Sequence, residues 1–110
     1  MSQTTTRARK TSFEIVVWRP VLKNTLRGFA TIQQPSGMIV ADVGVHISGG
    51  KAWAAPPSRL ILDRDGQPML DNHGKTRWCP LVSFTNRETQ RAWSDQVIAA
   101  LKVAYPEALA

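Results

Sequence analysis

The stretch Met38–Ser48 constrains this chain more than any other. Ile39, Ala41, Val43, Val45 and Ile47 alternate with Asp42, Gly44, His46 and Ser48, while Met38 and Val40 fall in with the polar set. Five apolar positions at period two predict a strand with one face on a core and the other largely polar. Gly49-Gly50 follows at once. Paired glycines reach the positive φ values of a short hairpin turn, so the next apolar run, Lys51–Ala55, should return antiparallel beside the first.

The same reasoning extends upstream. Phe13–Trp18 is β-branched and aromatic, and Pro20 behind it removes a ladder donor, which favours an edge position. Lys23-Asn24 makes a turn and Arg27–Ile32 a second strand, closed by the tight turn Pro35-Ser36-Gly37. The connections are too short for crossovers, so the four strands should form an antiparallel meander. Pro56-Pro57 halts the fourth strand. Residues 59–63 and 67–71 flank Arg64-Asp65-Gly66 and read as a protruding hairpin. Asn72–Thr76 reads as a polar loop and Trp78–Phe84 as a last extended piece, with no internal repeat expected.

After Phe84 the period changes. Thr85-Asn-Arg-Glu88 has the spacing of a capping box with Thr85 as cap. Trp93, Val97, Ala100, Leu101 and Ala104 then recur at helical spacing until Pro106. The fold class that follows is α+β: an antiparallel meander of four to five strands, a β-hairpin extension, and one C-terminal amphipathic helix over the apolar face. With 110 residues, 43% of them hydrophobic, the chain suffices for one such domain, placed at 13–110. Residues 1–12 contain no Val, Ile, Leu, Phe or Trp and read as a disordered basic N-terminal arm.

Charge is unevenly distributed. The chain carries a formal +6, and residues 1–27 hold six bases (Arg7, Arg9, Lys10, Arg19, Lys23, Arg27) against the single acid Glu14. The remainder is nearly balanced. A field of that shape attracts polyanions, nucleic acid before an anionic membrane surface. In a hairpin turning near Lys23-Asn24, Arg19 and Arg27 should come close across the strands, which costs stability unless an anion shares them. Neutralising six to eight phosphates would give a log–log salt slope of roughly −4 to −7. Trp18 and Trp53 lie on strands beside Arg19 and Lys51, and an exposed ring beside cations is how single-stranded nucleic acid is held. The competing reading makes both tryptophans core or subunit-interface residues.

Other chemistries find little support. Asp63, Asp65, Asp71, His73 and Cys79 fall within 17 residues, but without calcium-loop or zinc-ligand spacing. They read as hairpin turns with solvated carboxylates, so neither metal nor cofactor is expected. His46 and Ser48 point the same way on the polar face of their strand, yet no third group or nucleophile turn accompanies them. Cys79 reads as a core thiol, Trp93 as core, and Trp78 as core or hairpin packing. No phosphate loop or dinucleotide fingerprint is present, so neither an enzyme nor a small-molecule substrate is expected. One cysteine cannot close an intramolecular disulfide, which suits a reducing, cytoplasmic compartment. No apolar run approaches the ~18 residues of a membrane span, and the basic start lacks the apolar segment of a leader peptide.

Three segments carry a family resemblance: Arg27-Gly-Phe-Ala-Thr-Ile32, Met38-Ile-Val-Ala-Asp-Val-Gly-Val45, and Gly50-Lys-Ala-Trp-Ala-Ala-Pro-Pro-Ser-Arg59. They resemble the bacterial stage V sporulation protein G (SpoVG, septation regulator) family. There a strand of the type Arg-x-x-Ala-x-Ile leads to one ending in Val-x-Asp-Ile-Arg-Val, then a glycine turn and an apolar strand closing on Met-Pro-Ser-Lys or Met-Pro-Ser-Arg, for which Pro57-Ser58-Arg59 stands here. Gly44 stands where that family carries Arg, and residues 60–76 are longer than its hairpin. The resemblance implies a small homodimeric, nucleic-acid-binding regulator without enzyme activity. The residues expected to meet the ligand are Arg7, Arg9, Lys10, Arg19, Lys23, Arg27, Lys51 and Arg59 for phosphates, and Trp18 or Trp53 for bases. The alternative is a protein-interaction or assembly module anchored by its tryptophans.

Overall fold

The computed structural model describes residues 12–109. Strands β1 (Glu14–Lys23), β2 (Leu26–Gln33), β3 (Ile39–Ser48) and β4 (Lys51–Ala55) form one antiparallel sheet in the order β1-β2-β3-β4. A small second sheet pairs β5 (Ser58–Leu60) with β6 (Trp78–Pro80), and the chain closes with helix α1 (Arg87–Ala104). This is the expected α+β meander. β1 runs on through Pro20, which an edge strand tolerates because one side of its ladder is unpaired.

The core lies between one sheet face and α1. Ala30, Ile32, Val43, Val45 and Ala54 face Trp93, Val97, Ile98 and Leu101. β4 is the other edge strand, and its Ala54 N–H donates to the buried Ser94 Oγ at 2.8 Å, so packing the helix also satisfies an edge donor. Trp93 is core as expected, its Nε1 donating to Gln34 Oε1 at 2.9 Å. Gly28 is required where it stands. A Cβ there would lie 2.6 Å from both the Arg19 carbonyl and the Trp18 ring, so its absence lets the indole lie across β2.

The phase expected for β3 is corrected. Ile39 and Ala41 are exposed, and Val40 is buried with Val43 and Val45. Ala30 pairs Val43 and Ile32 pairs Val40, so β3 carries one extra residue there, a bulge with Asp42 at φ 58°. One inserted residue moves every side chain beyond it to the other face. Aspartate is among the few non-glycine residues that tolerate this left-handed backbone. The helix cap is also shifted by one residue. Asn86, not Thr85, is the N-cap, its Oδ1 accepting from Thr89 N–H at 2.7 Å.

Residues 58–80 form the extension, and here an internal repeat appears that was not expected. Leu62-Asp63-Arg-Asp-Gly66-Gln-Pro-Met69 is followed by Leu70-Asp71-Asn-His-Gly74-Lys-Thr-Arg77, an eight-residue period. Each copy makes the same turn. Asp63 Oδ1 accepts from the N–H groups of Asp65 and Gln67, both at 2.9 Å. Asp71 Oδ1 accepts likewise from His73 and Lys75, at 2.8 and 3.0 Å. Gly66 and Gly74 take φ values of 78° and 79° to complete the turns. The supposed loop Asn72–Thr76 is therefore the second of two equal turns, not an unstructured connection. Three residues eight apart close the unit head to tail: Ile61 N–H donates to Arg77 O, Arg77 N–H to Met69 O, and Met69 N–H to Ile61 O. Strand pairing of the last segment stops at Pro80 rather than continuing to Phe84.

Candidate nucleic-acid interface

The expected basic residues do not gather into one patch. Arg7, Arg9 and Lys10 lie outside the described residues. Arg19 and Arg27 do not meet: they sit on opposite faces of the sheet. Arg19 pairs opposite Phe29 on the face away from α1, where its guanidinium lies 5.2 Å from the Phe29 ring and 4.0 Å from Asp42 Oδ1. That ion pair is exposed and screened, and contributes little. Arg27 sits at an irregularity in the β2–β3 pairing that turns it to the helix side. There it donates to the carbonyls of Asn24 and Leu26 at 2.9 and 3.1 Å, beside Trp18 and Tyr105.

The remaining expected residues divide in the same way. Trp18 is half-buried, packed on the core with its ring 6.4 Å from Tyr105, and does not flank Arg19 as a stacking surface. Lys23 and Lys51 stand exposed at the two hairpin turns that share one end of the sheet. Arg59 pairs with Cys79 and is out of phase with Ser58 and Trp78, so strand alternation turns it to the other side of the small sheet. Cys79 is partly buried in the extension and lies outside the core cluster. Trp78 is exposed rather than core.

Trp53 is the position where ring and charge do meet. It pairs with His46 across β3 and β4, and the two rings stack nearly flat, 5.2 Å apart at 6°. The His46 Nδ1 is 3.0 Å from Thr25 Oγ1, which fixes the imidazole plane. His46 lines a groove of about 560 Å³ on the outer sheet face with Arg19, Phe29, Asp42 and Trp78. Trp53 lines a second groove of about 610 Å³, between the β4 edge and the first half of α1, with Lys51, Arg87, Gln90, Arg91 and Asp95. The stacked pair thus stands between two openings, and among the described residues the edge groove is lined by three cations and one carboxylate.

Arg87, Gln90 and Arg91 were not singled out from the sequence. The signal was available: Arg87 and Arg91 are four apart, on one face of the helix and off the Trp93–Val97–Leu101 stripe. Glu88 and Asp95 cancel their charge in a regional sum, whereas in space Asp95 lines the groove with them and Glu88 does not.

Burial lowers the His46 pKa below its ordinary 6.5. The unfolded chain therefore takes up the proton first. The stability that neutral His46 contributes is fully present above pH 6.5 and is lost as the pH falls toward the depressed folded value. Urea unfolding at pH 7.5 and 5.5 should show a smaller acid-side loss in His46→Gln than in the parent chain.

Asp63, Asp65, Asp71, His73 and Cys79 do not converge, and among the described residues no three His, Cys, Asp or Glu side chains are placed to hold a metal ion. Among the described residues no helix is long and apolar enough to cross a membrane. Compared with known proteins, the chain matches no family model, no curated protein and no solved structure.

Proposed function

We propose that this protein is a small, non-enzymatic nucleic-acid-binding protein of regulatory type. The observation that carries the reading is Trp53. It is an exposed indole backed by His46, with Lys51, Arg87 and Arg91 lining the groove on one side and Arg19 and Phe29 on the groove next to His46. Cations that track phosphates beside aromatic rings that accept bases are the two parts such binding needs. The resemblance to the stage V sporulation protein G family leans the same way, and so does the +6 charge. The assembled form would be a cytoplasmic homodimer, which doubles the cationic surface. Fluorescence anisotropy with labelled oligonucleotides tests the reading: binding is expected at ~50 mM salt, weakening steeply as salt is raised.

A second reading, an assembly module, has its own observation. Leu62, Leu70 and Trp78 occupy the same position in successive eight-residue periods, and each is more than half exposed (54%, 57% and 56%). An apolar trio on a protruding unit suits a partner surface. If that is its role, mass measurement in solution will show self-association that Leu62→Ser/Leu70→Ser abolishes, with oligonucleotide binding absent in both proteins.

A further inference from the structure

We infer that the groove between the β4 edge and α1 is a slot for one unpaired base of a single-stranded nucleic acid. The base stacks on the open face of the Trp53 indole, and the adjoining phosphate lies among Lys51, Arg87 and Arg91. The inference rests on the nucleic-acid reading and adds which form is bound and where.

The geometry narrows the occupant. His46 covers one face of the indole at 5.2 Å and 6°, and is itself held by Thr25. Trp53 remains 38% exposed and lines the edge groove, so a third planar ring entering there extends an existing stack of two. Ala52 and Ala54 line the same groove. A peptide strand is a poor fit, because the Ala54 N–H that would pair with it is already bonded to Ser94 Oγ. An apolar ligand is a poor fit too, since Lys51, Arg87 and Arg91 would be desolvated without a partner.

The choice between single and double strands follows from the faces of the bases. In a duplex each base face is covered by its neighbours, and exposing one requires unstacking and unpairing. In a single strand the face is free, and every base has one, so such a slot is indifferent to sequence. Phosphates on either side of the stacked base then fall where the guanidinium and ammonium groups line the wall. Among the described residues Asp95 is the one carboxylate lining the groove, which leaves an excess of two positive charges.

The test compares a twelve-nucleotide thymidine strand with its twelve-base-pair duplex by anisotropy, using the full chain and its Trp53→Leu and Trp53→Phe variants. The single strand is expected to bind more tightly than the duplex. Trp53→Leu should weaken single-strand binding by roughly 5- to 100-fold while changing duplex binding little, and Trp53→Phe should restore most of the loss. If Trp53→Leu leaves single-strand binding intact, or weakens both forms equally, the slot is overturned while the nucleic-acid reading stands. A failure of Phe to restore binding also overturns it. A parent chain that binds neither form overturns both.

Discussion

Replacing Leu101 with alanine is expected to lower the unfolding free energy by about 2–5 kcal/mol. Leu101 is fully buried and sits in the last turns of the helix stripe, within the cluster formed by Val97, Ile32, Val43 and Val45. The strand residues around it are β-branched and held by the sheet ladder, so they cannot close over the vacated volume. The cost therefore includes the cavity as well as the lost transfer energy. For a domain this small that is a large share of total stability. Urea denaturation should show a clear fall in midpoint with little change in slope. Val103→Ala, two residues on and 83% exposed, should change the unfolding free energy by less than about 0.5 kcal/mol.

The second large effect concerns binding. Removing both helix cations, as Arg87→Gln/Arg91→Gln, is expected to weaken nucleic-acid affinity roughly 10- to 100-fold at ~50 mM salt, because two sets of condensed counterions are no longer released. Fold stability should scarcely change, since both side chains are exposed and neither belongs to the core. Lys102→Gln makes the control. It lies in the last turn of the same helix, away from the edge groove, and should leave affinity close to that of the parent.

The architecture was legible because local signals agreed with one another. Alternation in Met38–Ser48, Gly49-Gly50 and the period change after Phe84 each predict an element that the structure contains. What failed has a physical cause in each case. The bulge at Asp42 adds one residue, which no hydrophobic pattern marks because both Ala41 and Val40 are apolar. Asn86 and Thr85 are both competent caps, and the choice between them depends on where the chain enters from the extension. The eight-residue repeat was hidden by its variable positions, although Leu-Asp-x-x-Gly occurs twice in register.

The candidate binding residues were less legible, because charge was summed along the chain and not over the surface. Arg19 and Arg27 are near in sequence but sit on opposite faces of the sheet. Arg87 and Arg91 are distant from Lys51 in sequence and line the same groove. Trp53 was expected to take part, and the structure supplies what the sequence could not: the flat contact with His46 and the cations beside it.

The most direct measurement is the salt dependence of single-strand binding for the full chain beside its Arg87→Gln/Arg91→Gln variant. The groove cations Lys51, Arg87, Arg91 and Arg19 should contribute a log–log slope of roughly −2 to −3, and the double substitution should make the slope shallower by about 1.4. Any contribution from Arg7, Arg9 and Lys10 is common to both proteins and drops out of the difference. An unchanged slope and affinity in the variant, or no binding by the parent at ~50 mM salt, would contradict the account.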